Sequence, residues 1–161
     1  MTRTLLLLAA ALVGCTTTET YESDLVVPAG LKVTLGQVRF AYRDWSTDMA
    51  EILDRARAHE EAWTSVIRHA FEKEAAARDL AGPGATVEIS VTDMRPGRSA
   101  FAWWVGSGDE RAWVEARVEI PDHGSFVIET SQARGRFESL LETFSGKIAK
   151  QIAARRAAAN P

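Results

Sequence analysis

Apolar residues along the chain switch between a period of two and a period near 3.6, and the switches divide it into strands and helices. Leu31, Val33 and Leu35 alternate with polar neighbours, and Val38, Phe40 and Tyr42 alternate again in the opposite phase, with Gly36 between them. A strand that changes phase at a glycine predicts a β-bulge or a bend. Asp48, with Glu51 three residues later, has the form of a helix N-cap and its capping glutamate. Ile52, Leu53, Ala56, Trp63, Val66, Ile67, Ala70 and Phe71 then recur at helical spacing. They predict a long amphipathic helix, interrupted near 58–61 and ending before Gly82-Pro83-Gly84.

Val87, Ile89 and Val91 predict a half-buried strand that stops at Arg95-Pro96-Gly97. Ala112, Val114, Ala116, Val118 and Ile120 alternate with Trp113, Glu115, Arg117 and Glu119, the clearest strand pattern in the chain. Pro121-Asp122-His123-Gly124 reads as a turn, and 125–131 returns as the hairpin partner. A second helix carries Phe137, Leu140, Leu141, Phe144, Ile148 and Ile152 on one stripe. Lys147, Lys150, Arg155 and Arg156 gather toward its C-terminal end, where positive charge complements the helix dipole.

This order, β-α-β-β-β-α, predicts an α+β fold: one domain with a four-stranded mixed sheet and two helices on one face. The helix between the first two strands is long enough for a crossover, so those strands are expected to be parallel and the later ones antiparallel. The other sheet face is then wet or meets a partner.

The first residues do not belong to this pattern. Arg3 precedes the apolar run 5–13, and Leu12-Val13-Gly14-Cys15 closes it. Nine apolar residues fall well short of the ~20 that cross a bilayer as a helix, so 1–14 reads as a signal peptide. Leu12-Val13-Gly14-Cys15 has the form of a bacterial lipobox, with cleavage before Cys15 and lipidation on it. Thr16, where some lipoproteins carry a retaining aspartate, points toward the outer membrane. The polar, threonine-rich stretch 16–24 has no apolar period and is expected to continue as a tether through 15–30. The periplasmic α/β domain is expected at 31–158.

Removing 1–14 takes away Arg3 and no acid, leaving 18 basic residues against 22 acidic ones. Such a chain has no electrostatic case for binding nucleic acid. Cys15 is the only cysteine, so an internal disulfide is excluded and stability must come from a packed core. Two or three acyl chains on one cysteine hold a protein on its membrane far more firmly than one.

Candidate chemistry is sparse. His59 lies on the apolar stripe of the first helix and is expected to pack in the core; His69 and His123 fall elsewhere, and no metal-ligand spacing connects the three. Gly106-Ser107-Gly108 is followed by Asp109-Glu110, whose charges would repel a phosphate. Glu115 and Glu119 share a strand face with Arg117 between them, which reads as a solvated charge row and not as a catalytic pair. Neither a catalytic residue nor a metal or cofactor site is expected. The aromatics are more suggestive, because Trp103 and Trp104 are adjacent and cannot both face one core, and Trp113 lies on the polar side of its strand. These three are the candidates for binding a partner.

The lipobox, the opening strand before a long helix, the segment 99–108 with its Gly-x-Gly, the strand 113–120 with turn Asp122-His123-Gly124, and the closing helix with Ile148-Ala149-Lys150-Gln151-Ile152 together resemble a family of bacterial envelope lipoproteins of unknown function. That family is similar to the N-terminal domain of TolB, to CsgG and to LpoB. The resemblance implies a small module for protein contact in the envelope. The expectation is thus a lipid-anchored, non-enzymatic periplasmic binding or assembly module on the outer membrane, held by lipid on Cys15 and meeting an envelope protein. The alternative is a carrier of a small lipid or glycan in an aromatic-lined pocket.

Overall fold

The computed structural model describes residues 16–41, 50–95, 111–133 and 136–158. Their elements are β1 (Thr16–Tyr21), β2 (Val33–Phe40), α1 (Ala50–Ala77), β3 (Ala85–Arg95), β4 (Ala112–Ile120), β5 (Gly124–Gln132) and α2 (Phe137–Ala158). The fold is α+β with one mixed sheet, in the order β1-β5-β4-β3-β2, and two helices.

The sheet has five strands, not the four expected. The additional strand is β1, in the stretch read as a polar tether, and it runs antiparallel to β5 from Thr16 opposite Gln132 to Tyr21 opposite Val127. Its residues, Thr-Thr-Thr-Glu-Thr-Tyr, are mostly β-branched or aromatic and suit an extended backbone. What they lack is apolar alternation; two of the threonines are instead paired with hydroxyls on β5. Thr17 Oγ1 lies 2.7 Å from Ser131 Oγ, and Thr18 Oγ1 lies 3.2 Å from Thr130 Oγ1.

β2 and β3 are joined by α1 and pair in parallel, whereas β3–β4 and β4–β5 are antiparallel. The phase change at Gly36 is a register shift between Leu35 and Val38. The extra residue keeps Val33 and Leu35 on the same face as Val38 and Phe40, opposite Ala85, Val87, Ile89 and Val91 in turn. A second shift follows Val91, so that Met94, and not an odd-numbered neighbour, continues the buried row opposite Val114.

The buried faces of the strands and the stripes of both helices form a single hydrophobic cluster, to which Leu25 and Val27 also contribute. α1 is continuous through 58–61, where a break was expected, since the residues there face solvent and nothing interrupts the backbone. Trp63, Ile67, Phe71 and Ala75 recur every four residues along its buried side. From α2 come Phe137, Leu140, Leu141, Phe144, Ile148, Ala149 and Ile152. Each large side chain so buried contributes about 1.5–3 kcal/mol. Small residues bring the two helices together: Ser145 and Ala149 are fully buried, and Ser145 Oγ donates to the Ile67 carbonyl at 2.6 Å. Trp63 packs edge-on against Phe137, with ring centroids 5.2 Å apart, and touches Phe40 at 6.1 Å. His59 is exposed, contrary to the expected core position, and stacks on the outer side of Trp63 at 5.6 Å.

Candidate functional site

Alternation along β1, β3, β4 and β5 sends one set of side chains into the helix layer and the other onto the opposite face, which is open among the described residues. Register then sorts that open set into rows that cross the strands. The row nearest the start of β1 holds Thr17, Ser131, Trp113 and Arg95. The next holds Glu19, Glu129, Glu115 and Asp93, and the one after it Tyr21, Val127 and Arg117.

Four carboxylates therefore stand abreast across four strands. Like charges opposite one another repel, and the structure answers this in two ways. Glu115, near the middle, accepts hydrogen bonds from Thr92 Oγ1 at 2.7 Å and from the hydroxyl of Tyr21. Its neighbours instead hold their protons more tightly. Burial pushes the Asp93 carboxyl up, with Glu115 adding to the effect. Burial likewise raises Glu129, helped by Glu115 and Glu19. The hydrogen bond to Glu115, with some burial, also holds the Tyr21 hydroxyl protonated well beyond its ordinary range.

Arg117 does not neutralise this row. Its guanidinium donates to Ser125 Oγ at 2.8 Å and lies 3.9 Å from Glu22, both on the side away from the carboxylates. Glu115, Arg117 and Glu119 do share the open face, as the strand pattern predicts. Each acid is nonetheless opposite other acids across the sheet, Glu115 facing Glu129 and Asp93, and Glu119 facing Glu88. Sequence spacing within one strand carries no signal of this, because register between strands decides it.

Trp113 is half-buried on the open face, opposite Arg95 and Ser131. Trp103 and Trp104 lie outside the described residues, as does Cys15. His59 and His69 are exposed on α1 and His123 is half-buried in the β4–β5 turn. Among the described residues no three His, Cys, Asp or Glu side chains are arranged to hold a metal ion. No helix of the described residues is long and apolar enough to cross a membrane. Chemically, the open face offers a band of carboxylate acceptors, part of it protonated more readily than usual, flanked by Trp113 on one side and Tyr21 on the other.

Fold and face together define the chain as a two-layer α+β protein with a five-stranded mixed sheet, helices on one side and a polar, acid-banded surface on the other. No protein-family profile and no curated protein matches it. Among solved structures it is similar to a point-substituted PelC dodecamer from Paraburkholderia phytofirmans at 11% identity. That match covers 85% of this chain and 98% of that one, with a TM-score of 0.44. A second PelC dodecamer from the same organism is similar at 11% identity, covering 83% and 95%, with a TM-score of 0.42.

Proposed function

We propose that the chain is a lipid-anchored, non-enzymatic binding or assembly module of the bacterial envelope, facing the periplasm from the outer membrane. The observation that carries this reading is the place of the lipobox. Leu12-Val13-Gly14-Cys15 is followed at once by β1, so the residue that would carry lipid adjoins a strand of the folded domain. A lipid there holds the domain against its membrane. The open sheet face supports the binding role, since its polar band is flanked by Trp113 and by Tyr21, which is 38% exposed. An envelope protein is the partner this reading expects.

Two measurements test it. Metabolic labelling with an alkynyl fatty acid should mark the mature protein and fail on Cys15→Ala; labelling that survives the substitution rejects lipid attachment at this residue. A photo-crosslinker placed at Trp113 should capture one defined envelope protein in cells, and the same probe at Asp54 on α1 should not. Equal capture from both positions removes the open face as the binding surface.

A further inference from the structure

The N-terminal stretch of the described chain is held to the sheet in two different ways, and the boundary falls at Glu22. Beyond it, the Asp24 amide donates to the Ser125 carbonyl at 3.1 Å and the Val26 amide to the His123 carbonyl at 2.8 Å, so pairing with the β4–β5 hairpin continues past β1. Asp24 Oδ1 accepts the Ser125 amide at 2.6 Å and the Ser125 hydroxyl at 3.3 Å, a close approach that Gly124 permits because it has no Cβ. Leu25 and Val27 belong to the hydrophobic cluster. The stretch 24–27 therefore cannot leave without opening the core.

β1 has no such hold. Each of its residues is exposed or half-buried, and none joins the cluster. Its attachment consists of the ladder to β5, the hydroxyl pairs of Thr17 and Thr18, and the hydrogen bond from Tyr21 to Glu115. Three features oppose it. Glu19 stands directly opposite Glu129, and like charges so placed repel. The Thr20 hydroxyl oxygen is covered without a hydrogen-bond partner among the described residues, which costs its hydration. Glu22 has φ +48°, a left-handed conformation that non-glycine residues seldom adopt. All three are relieved when β1 leaves β5, and β5 keeps its ladder to β4.

We propose that β1 is a releasable strap, hinged at Glu22 and Ser23, which docks on β5 or swings free while the rest of the fold stays intact. Its consequence rests on the lipidation reading above. Docked, the strap holds the domain directly at Cys15. Free, residues 16–23 become a tether of up to about 26 Å at the rise of an extended chain. One anchor then gives the domain two reaches from its membrane, and the longer one lets it follow a partner away from the bilayer.

Hydrogen exchange, read by NMR on the lipidated mature protein in detergent micelles, tests the strap. The β1 amides directed at β5 should exchange at least about a hundredfold faster than those of Asp24, Val26 and β4, and still slower than an unstructured chain. A disulfide between Thr17→Cys and Ser131→Cys, whose native hydroxyl oxygens lie 2.7 Å apart, should slow β1 roughly tenfold or more and leave β4 unchanged, and reduction should restore the faster rate. Protection in β1 equal to that of Asp24 and Val26 overturns separate release, and exchange at chain-coil rates overturns the docked state. On vesicles, a glutamyl endoproteinase should cut after Glu19 or Glu22 roughly tenfold more slowly in the disulfide form, read on reducing gels, because cleavage follows the open population. Equal cutting overturns the free tether. A protein that does not float with the vesicles, and whose Cys15→Ala variant behaves identically, overturns the anchor and the two reaches, while exchange still decides the strap.

Discussion

Glu115 stands directly opposite Glu129 across the β4–β5 ladder, on the sheet face opposite the two described helices, with Asp93 on its other side. Such an arrangement costs stability while all three are charged.

Glu129→Gln should therefore stabilise the protein at neutral pH, by about 0.2–1 kcal/mol, the usual range for one cross-strand pair. The pH dependence has a definite sign. The folded-state pKa of Glu129 and of Asp93 is raised, so the folded chain binds these protons more tightly than the unfolded one. The stability they contribute is fully present below the ordinary carboxylate range and is lost as pH rises through the raised values. Asp24 and Asp79 act the other way: the Ser125 amide lowers one and Lys32 the other, and their contribution is lost on acidification. Thermal melts of wild type and Glu129→Gln should converge as pH falls below about 4 and separate toward pH 7. A constant gap across that range would contradict the assignment.

Tyr21 should ionise only in strongly alkaline solution, because its hydroxyl donates a hydrogen bond to Glu115, whose charge also repels the phenolate. Spectrophotometric titration of the folded protein should show one of the two tyrosines displaced above the ordinary value of about 10. Glu115→Gln should bring it down.

The contact between the helices turns on Ser145. Ser145→Ala removes a buried hydrogen bond to the Ile67 carbonyl and should cost about 1 kcal/mol. Ser145→Val adds volume where α1 and α2 meet and should cost about 1–3 kcal/mol. Urea unfolding measures both, and the valine variant must be the less stable.

Two glycines should respond in opposite directions. Gly146 lies within α2, and a Cβ there would meet nothing within 4 Å, so Gly146→Ala should stabilise by about 0.5–1 kcal/mol. Gly124 has φ +102°, and a Cβ would lie 2.7 Å from the backbone oxygen of Asp24. Gly124→Ala should destabilise by about 1–3 kcal/mol, through backbone strain together with that clash. Differential scanning calorimetry of the pair checks the contrast.

If β1 is a strand of the sheet, some of its amides should be slow to exchange with deuterium, most of all those directed at β5. Chain-coil exchange rates throughout 16–21 would return the segment to a tether.

Much of this architecture was legible in the sequence because burial imposes a period. The alternation of Ala112 to Ile120, the stripes of the two helices and the opposite phases on either side of Gly36 all translate directly into buried faces. Each depends only on neighbours along the chain. β1 escaped because an edge strand can satisfy Thr17 and Thr18 with hydroxyl partners on β5 and needs no apolar stripe. The exposure of His59 escaped too, since periodicity places a residue near the stripe but not on a particular side of Trp63.

The sequence by itself determined the α+β class, the order of the six elements from β2 to α2, the parallel crossover and the exclusion of an internal disulfide. These follow from local periodicity and from residue counts. Only the tertiary structure decided that the sheet has a fifth strand beginning at Thr16, and that Glu19, Glu129, Glu115 and Asp93 form one row. Those residues are far apart in the chain, and cross-strand register, which no single strand encodes, brings them together.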